Sequence, residues 1–223
     1  MRDETFEIFI EEMGEATSHE VADPVVIEKY TNILPGSLLK IWKEEGWNGY
    51  ANGLFWLVNP DDYSDLVEMW LEETDFNEID KYHVFARSAF GDLFAWGEQN
   101  NRKITISCLT GSVIAVADEL NVPSDNPDST LGSFFAMSDL ERYDLEDVEE
   151  EFLFQRAVEK LGVLKSDELY GFEPALVVGG KMSLDSLKRL RLDVHLTIFG
   201  SWVVFLELHF LVLGCSGKLH GRS

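Results

Sequence analysis

Basic residues are scarce in this 223-residue chain. Eighteen Lys and Arg stand against 41 Asp and Glu, giving a formal net charge of −23. A surface of that sign repels phosphate, so nucleic acid and anionic membranes are excluded as general partners. Cysteine is nearly absent. Cys108 and Cys215 lie far apart, which excludes a disulfide framework and a zinc-binding cysteine cluster. Catalytic signatures are missing too: no phosphate-binding glycine loop, no H-E-x-x-H, no C-x-x-C and no G-x-S-x-G. Gly179-Gly180-Lys181 has the wrong flanks for the first of these and reads as a turn at a strand end. The five histidines (His19, His83, His195, His209, His220) do not fall at ligand spacing. No metal, cofactor or enzymatic activity is expected.

Long apolar runs are also lacking. Ile198–Leu213 comes nearest, but it carries Glu207 and His209 and is shorter than the roughly 18–20 residues a spanning helix needs. It reads as a buried strand pair or one long strand. The acidic opening, MRDETFEIFIEEMGE, has neither the basic nor the apolar region of a signal peptide, so a cytoplasmic location is expected.

The chain nevertheless has the makings of a core. It is 45% hydrophobic and 12% aromatic, where acidic disordered segments are poor in both. Apolar spacing predicts a helix over Val25–Leu34 and a second from Pro35 to Gly46. Tyr50–Val58 reads as a strand. Asn59-Pro60 then caps a helix over Asp61–Glu73, with Tyr63, Leu66, Val67, Trp70 and Leu71 on one face. Strands follow at Tyr82–Phe90, Leu93–Gly97, Lys103–Leu109 and Ser112–Ala117, with glycine-containing turns at Gly91-Asp92 and Thr110-Gly111.

Residues 121–131 are rich in Pro, Ser and Asp and read as a linker. Beyond it, the pattern predicts a short strand at Gly132–Met137 and a helix over Asp144–Leu161. A strand at Glu173–Val178, a helical turn at Ser183–Leu190 and a strand at Leu192–Phe199 complete the reading. The predicted architecture is α+β: N-terminal helices plus an antiparallel meander (1–120), with a smaller α+β domain (132–223) packed against it.

The negative charge is uneven. Residues 1–159 hold 35 acids and 10 bases (−25), and residues 160–223 hold 6 acids and 8 bases (+2). Two clusters stand out. Asp61, Asp65, Glu68 and Glu72 recur along one face of the predicted 61–73 helix, with no base before Lys81. Asp144, Asp147, Glu149, Glu150 and Glu151 crowd the start of the predicted 144–161 helix. Like charges at helical neighbour spacing cost about 0.2–0.5 kcal/mol per pair. The helix dipole accounts only for acids in a first turn. These nine residues are therefore the candidate binding surface for a basic partner.

Several motifs are distinctive. Tyr30-x-x-x-Leu34-Pro35-x-x-Leu38-Leu39-x-x-Trp42-x-x-x-Gly46, then Tyr50-Ala-Asn-Gly-Leu-Phe-Trp-Leu-Val-Asn-Pro60 and Val84-Phe-Ala-Arg-Ser-Ala-Phe-Gly-Asp-Leu-Phe-Ala-Trp-Gly97, resemble the bacterial GAD-like domain. Tyr170-Gly-Phe-Glu-Pro-Ala-Leu-Val-Val-Gly-Gly180, with Asp193-Val-His-Leu196, is similar to the domain that commonly follows it. The resemblance spans roughly residues 5–199. It implies an immunity protein of a type VI secretion DNase effector: a cytosolic, non-enzymatic protein that binds and neutralises a cognate secreted nuclease. It implies no catalytic residues, and Leu34, Pro35, Trp42, Gly53, Pro60, Gly91, Trp96, Pro174, Gly179 and Gly180 look architectural. The continuation over Gly200–Ser223 departs from the family's pattern. An alternative reading is an SMI1/KNR4-like acidic interaction scaffold, which the early helix–Leu-Pro–helix–strand order also resembles.

Overall fold

The computed structural model describes residues 2–18, 20–72, 74–120, 122–203 and 211–213. Helices α1 (Glu4–Met13), α2 (Pro24–Lys29) and α3 (Gly36–Glu45) lead into short strands β1 (Gly49–Tyr50) and β2 (Phe55–Leu57). A 3-10 turn at Pro60–Tyr63 opens α4 (Ser64–Leu71), and α5 (Asp75–Ile79) follows. Strands β3 (Tyr82–Ser88), β4 (Asp92–Gly97), β5 (Lys103–Ser107) and β6 (Ser112–Val116) form the meander. Then come α6 (Ala117–Leu120), α7 (Pro127–Ala136), α8 (Leu140–Tyr143), α9 (Phe154–Leu161), β7 (Glu168–Phe172), β8 (Leu187–Arg191), α10 (Leu192–Val203) and β9 (Leu211–Leu213).

The main sheet runs β1-β2-β3-β4-β5-β6 with every neighbour antiparallel, and β9 adds to β6 in parallel. Strands β7 and β8 form a separate antiparallel pair. The β3–β4 loop holds Gly91 at φ +91°, a left-handed conformation that glycine adopts without Cβ strain.

Aromatic residues fill the core beneath the sheet. Phe6 and Phe9 of α1 stack at 5.1 Å, and Phe135 of α7 meets both edge-on at 5.1 and 5.4 Å. Phe134 packs on Phe85 at 5.3 Å and Phe94 at 5.5 Å. Such pairs contribute roughly 0.5–1.5 kcal/mol each beyond their burial. Thus α7, although late in the chain, completes the core that the N-terminal helices begin.

The later residues dock on the β3–β4 turn. The Tyr170 N–H donates to the Ala89 carbonyl at 2.9 Å, and the side chains of Leu169 and Leu196 pack beside Gly91. Arg87 of β3 adds a polar tie: fully buried, it donates to the Ser166 carbonyl at 2.9 Å and lies 4.9 Å from the Trp56 ring.

The α+β architecture and the meander agree with the sequence. Several elements differ, each for a local reason. Residues 132–136 are helix, with Met137 the C-cap, and not strand: Asn126 caps the Ser129 N–H, Pro127 takes the first turn, and Leu131, Phe134 and Phe135 make a buried helical face. That helix begins inside the segment read as a linker. Residues 144–153 are not helical. Asp144 accepts the Phe154 N–H at 2.8 Å, which delays the helix to Phe154, and a bridge between Glu146 and Phe152 closes a tight turn. At the C-terminal pair, the strand is Glu168–Phe172, not Glu173–Val178, where a 3-10 turn lies over Leu176–Val178. Leu187–Arg191 is the partner strand and Leu192–Val203 a helix, the reverse of the predicted order. Short apolar runs do not distinguish buried strand from buried helix by spacing alone. The predicted strand over Ile198–Leu213 gives way to helix as far as Val203. Its segment 204–210, and the tail from 214, lie outside the described residues.

Candidate functional site

The described residues contain no group of three or more His, Cys, Asp or Glu arranged to hold a metal ion. Among them no helix is long and apolar enough to cross a membrane. The Cys108 thiol is buried, and burial pushes its pKa up, against thiolate chemistry. His83 pairs with Glu98 at 2.6 Å, and burial holds its pKa below the usual histidine value. His195 lies on α10, not on a strand.

The acidic candidates separate into two kinds. Asp61 turns inward: Lys29 Nζ lies 2.6 Å from its carboxylate, and the Tyr30 hydroxyl donates to it at 2.7 Å. Burial acts to raise its pKa, but these two donors outweigh it and hold it below the usual carboxylate value. Asp61 therefore ties α2 to the start of α4. Asp65, Glu68 and Glu72 stand exposed, opposite the buried face of Val67, Trp70 and Leu71, and none has a base in ion-pair range among the described residues.

The second cluster is a turn. Asp147 accepts the N–H groups of Glu149 at 2.9 Å and Glu151 at 3.2 Å, and Arg156 meets its other oxygen at 2.6 Å. Such side-chain-to-backbone bonds compete directly with a helix. Asp144 is engaged in the same way, with the N–H groups of Leu145 and Phe154, and burial raises its pKa. Glu149 and Glu150 point out with Val148, while Glu151 reaches Arg156 at 3.4 Å. Of nine predicted binding residues, Asp61, Asp144 and Asp147 thus shape the surface. Asp65, Glu68, Glu72, Glu149 and Glu150 present unpaired charge, and Glu151 presents charge shared with Arg156.

Sequence reading missed a groove of about 470 Å³ between the start of α4 and α10. Trp47, Trp56 and Tyr63 form its apolar wall, and Asp62, Asp65, Asp167 and Asp193 bring carboxylates to it. Arg191 lies 3.3 Å from Asp193 and 3.8 Å from Asp167, leaving Asp62 and Asp65 without a cation. Burial, with Asp61 alongside, raises the Asp62 pKa. Only the juxtaposition of distant segments creates this groove, so no local motif announces it.

Comparison with known proteins bears on both halves. Residues 4–110 match the family model of the GAD-like domain. Residues 128–202 match that of the T6SS immunity protein Tdi1, C-terminal. The crystal structure of Atu4351 from Agrobacterium tumefaciens shares the fold, with a TM-score of 0.80 and 22% identity, over 95% of this chain and 93% of that one. No curated protein matches the chain.

Proposed function

From a chain that joins a GAD-like domain to the C-terminal domain of a type VI secretion immunity protein, we propose a specific inhibitor of a secreted DNase. The observation that carries this reading is the immunity domain at residues 128–202. The protein acts in the cytoplasm and has no catalytic role. Its partner is the cognate nuclease, whose DNA-binding groove must be basic. Asp65 and Glu68 on α4 and Glu72 at its C-cap, with Glu149, Glu150 and Glu151 on the Asp147-pinned turn, offer that groove the opposite sign and keep DNA out. Complementary fields of this kind raise association rates toward roughly 10⁸–10⁹ M⁻¹s⁻¹ at low salt.

Association kinetics between the purified chain and a candidate nuclease from its gene neighbourhood test the proposal. The expected result is a stable complex whose on-rate falls steeply with added salt. A combined Asp65→Lys, Glu68→Lys, Glu72→Lys variant slows association at low salt. Absence of a complex would refute the functional reading. A complex with a salt-independent on-rate would refute the acidic mechanism alone.

A further inference from the structure

A second cavity, of about 530 Å³, lies between β5, β6 and α7. Its volume is in the range of small-molecule sites. Its walls are largely apolar, with Trp96, Ile114, Phe134 and Met137 among them. Its charge is the reverse of the molecule's: Arg102, Lys103 and Arg142 line it with one carboxylate, Glu119, which lies 3.6 Å from Arg102.

Lys103 and Arg142 are left over. The Lys103 ammonium lies 5.6 Å from the Phe94 ring and 5.8 Å from the Phe134 ring, donating to the Thr105 hydroxyl at 2.9 Å. The Arg142 guanidinium lies 5.9 Å from the same Phe134 ring and is held by a bond to the Met137 carbonyl at 3.2 Å. Among the described residues neither has a carboxylate in ion-pair range. Burial, reinforced by Arg142, outweighs the opposing pull of Asp92 and Glu119 and brings the Lys103 pKa down to about 8. A largely buried ammonium with no carboxylate in ion-pair range is costly in a chain rich in carboxylates that could have paired it, and the exposed Arg142 guanidinium beside the same ring adds a second cation at the cavity's mouth.

We propose that this cavity binds a small organic carboxylate, its charged end between Lys103 and Arg142 and its apolar body against Phe134, Ile114 and Met137. The two cations select an anion, since charge-assisted bonds to a carboxylate are the strong ones. The apolar walls select a ligand with a hydrocarbon or aromatic body over a free inorganic ion. The site is separate from the acidic surfaces and stands whether or not the chain neutralises a nuclease.

Calorimetric titration of the full chain tests it, with phenylacetate and octanoate as probes. Phenylacetamide and octanamide serve as neutral isosteres, and acetate as the anion without a body. At least one of the two larger carboxylates is expected to bind ten-fold or more tightly than both its amide and acetate. Lys103→Met and Arg142→Gln are each expected to weaken that binding ten-fold or more. Because Arg142 is exposed, its variant keeps the test valid should Lys103→Met fail to fold. No binding by either carboxylate, equal binding of acid and amide, or unchanged affinity in Arg142→Gln would overturn the proposal.

Discussion

Arg87 is the residue on which the junction between the two halves of the chain turns. Arg87→Ala removes a guanidinium that is fully buried on β3, bonded to the Ser166 carbonyl at 2.9 Å and stacked 4.9 Å from Trp56. The charged hydrogen bond contributes about 1.5–3 kcal/mol, and a desolvated cation–π contact about 2 kcal/mol. Two terms oppose them. The buried ion carries a desolvation cost of several kcal/mol, visible in the lowered Arg87 pKa, which Tyr63 and Asp167 only partly offset. In addition, the Arg87 Nε–H already lacks a partner. Truncation, however, strands the Ser166 carbonyl and opens a cavity against Trp56, so the balance is a loss of about 2–4 kcal/mol. For a chain of this size that lowers Tm by about 6–12 °C. Arg87→Met loses the polar tie and the cation–π contact but keeps most of the volume, so it is expected to cost less than alanine. Thermal melts followed by circular dichroism, with limited proteolysis across residues 160–166, measure both. Tm values within 2 °C of the unchanged protein for both variants would refute the view that Arg87 fastens the junction.

Three further predictions concern other parts of the molecule. Phe9→Ala empties a site ringed by Phe6, Tyr50, Phe55 and Phe135; about 3–5 kcal/mol of stability should be lost in denaturant unfolding. Asp61 has a lowered folded-state pKa, so its stabilising effect is present above the unfolded carboxyl value near 3.8 and disappears as pH falls through the folded value. Asp61→Asn should accordingly flatten the acid limb of the stability–pH curve, and an unaltered limb would contradict the Lys29–Asp61–Tyr30 cluster. Asp147→Ala should release the turn, seen as faster hydrogen exchange of the Glu149 and Glu151 amides, with the α9 amides unaffected.

Much of the N-terminal fold was legible because its signals are local. The β3–β6 strands, the glycine turns and the Asn59-Pro60 start all act within a few residues, and the structure keeps them, whereas the strand read over Tyr50–Val58 is broken by a 3-10 turn at Ala51–Gly53, where Asn52 takes a left-handed conformation. The predicted Asp61–Glu73 helix survives as a 3-10 turn plus α4, with Glu73 outside the described residues. What escaped depends on competition or distance. The run from Asp144 to Glu151 has helix-like composition, yet Asp144 and Asp147 spend their carboxylates on backbone N–H groups and break it. Leu131, Phe134 and Phe135 have helical spacing, but the Pro- and Ser-rich approach masked it. The α4–α10 groove joins residues more than 100 positions apart, and the Lys103–Arg142 cavity joins a strand to a distant helix turn. The sign of the surface was readable from composition. Which carboxylates are free to meet a partner was not, because that depends on Lys29, Tyr30 and Arg156 reaching three of them first.

The most direct test of the central claim is plasmid survival in cells co-expressing this chain with a candidate DNase from its gene neighbourhood. The account predicts intact plasmid with the unchanged chain. It predicts degradation when Asp65, Glu68, Glu72, Glu149 and Glu150 are all replaced by lysine, with both proteins soluble. Degradation despite soluble, unchanged chain would contradict the neutralising role, and full protection by the charge-reversed chain would contradict the acidic surface as its means.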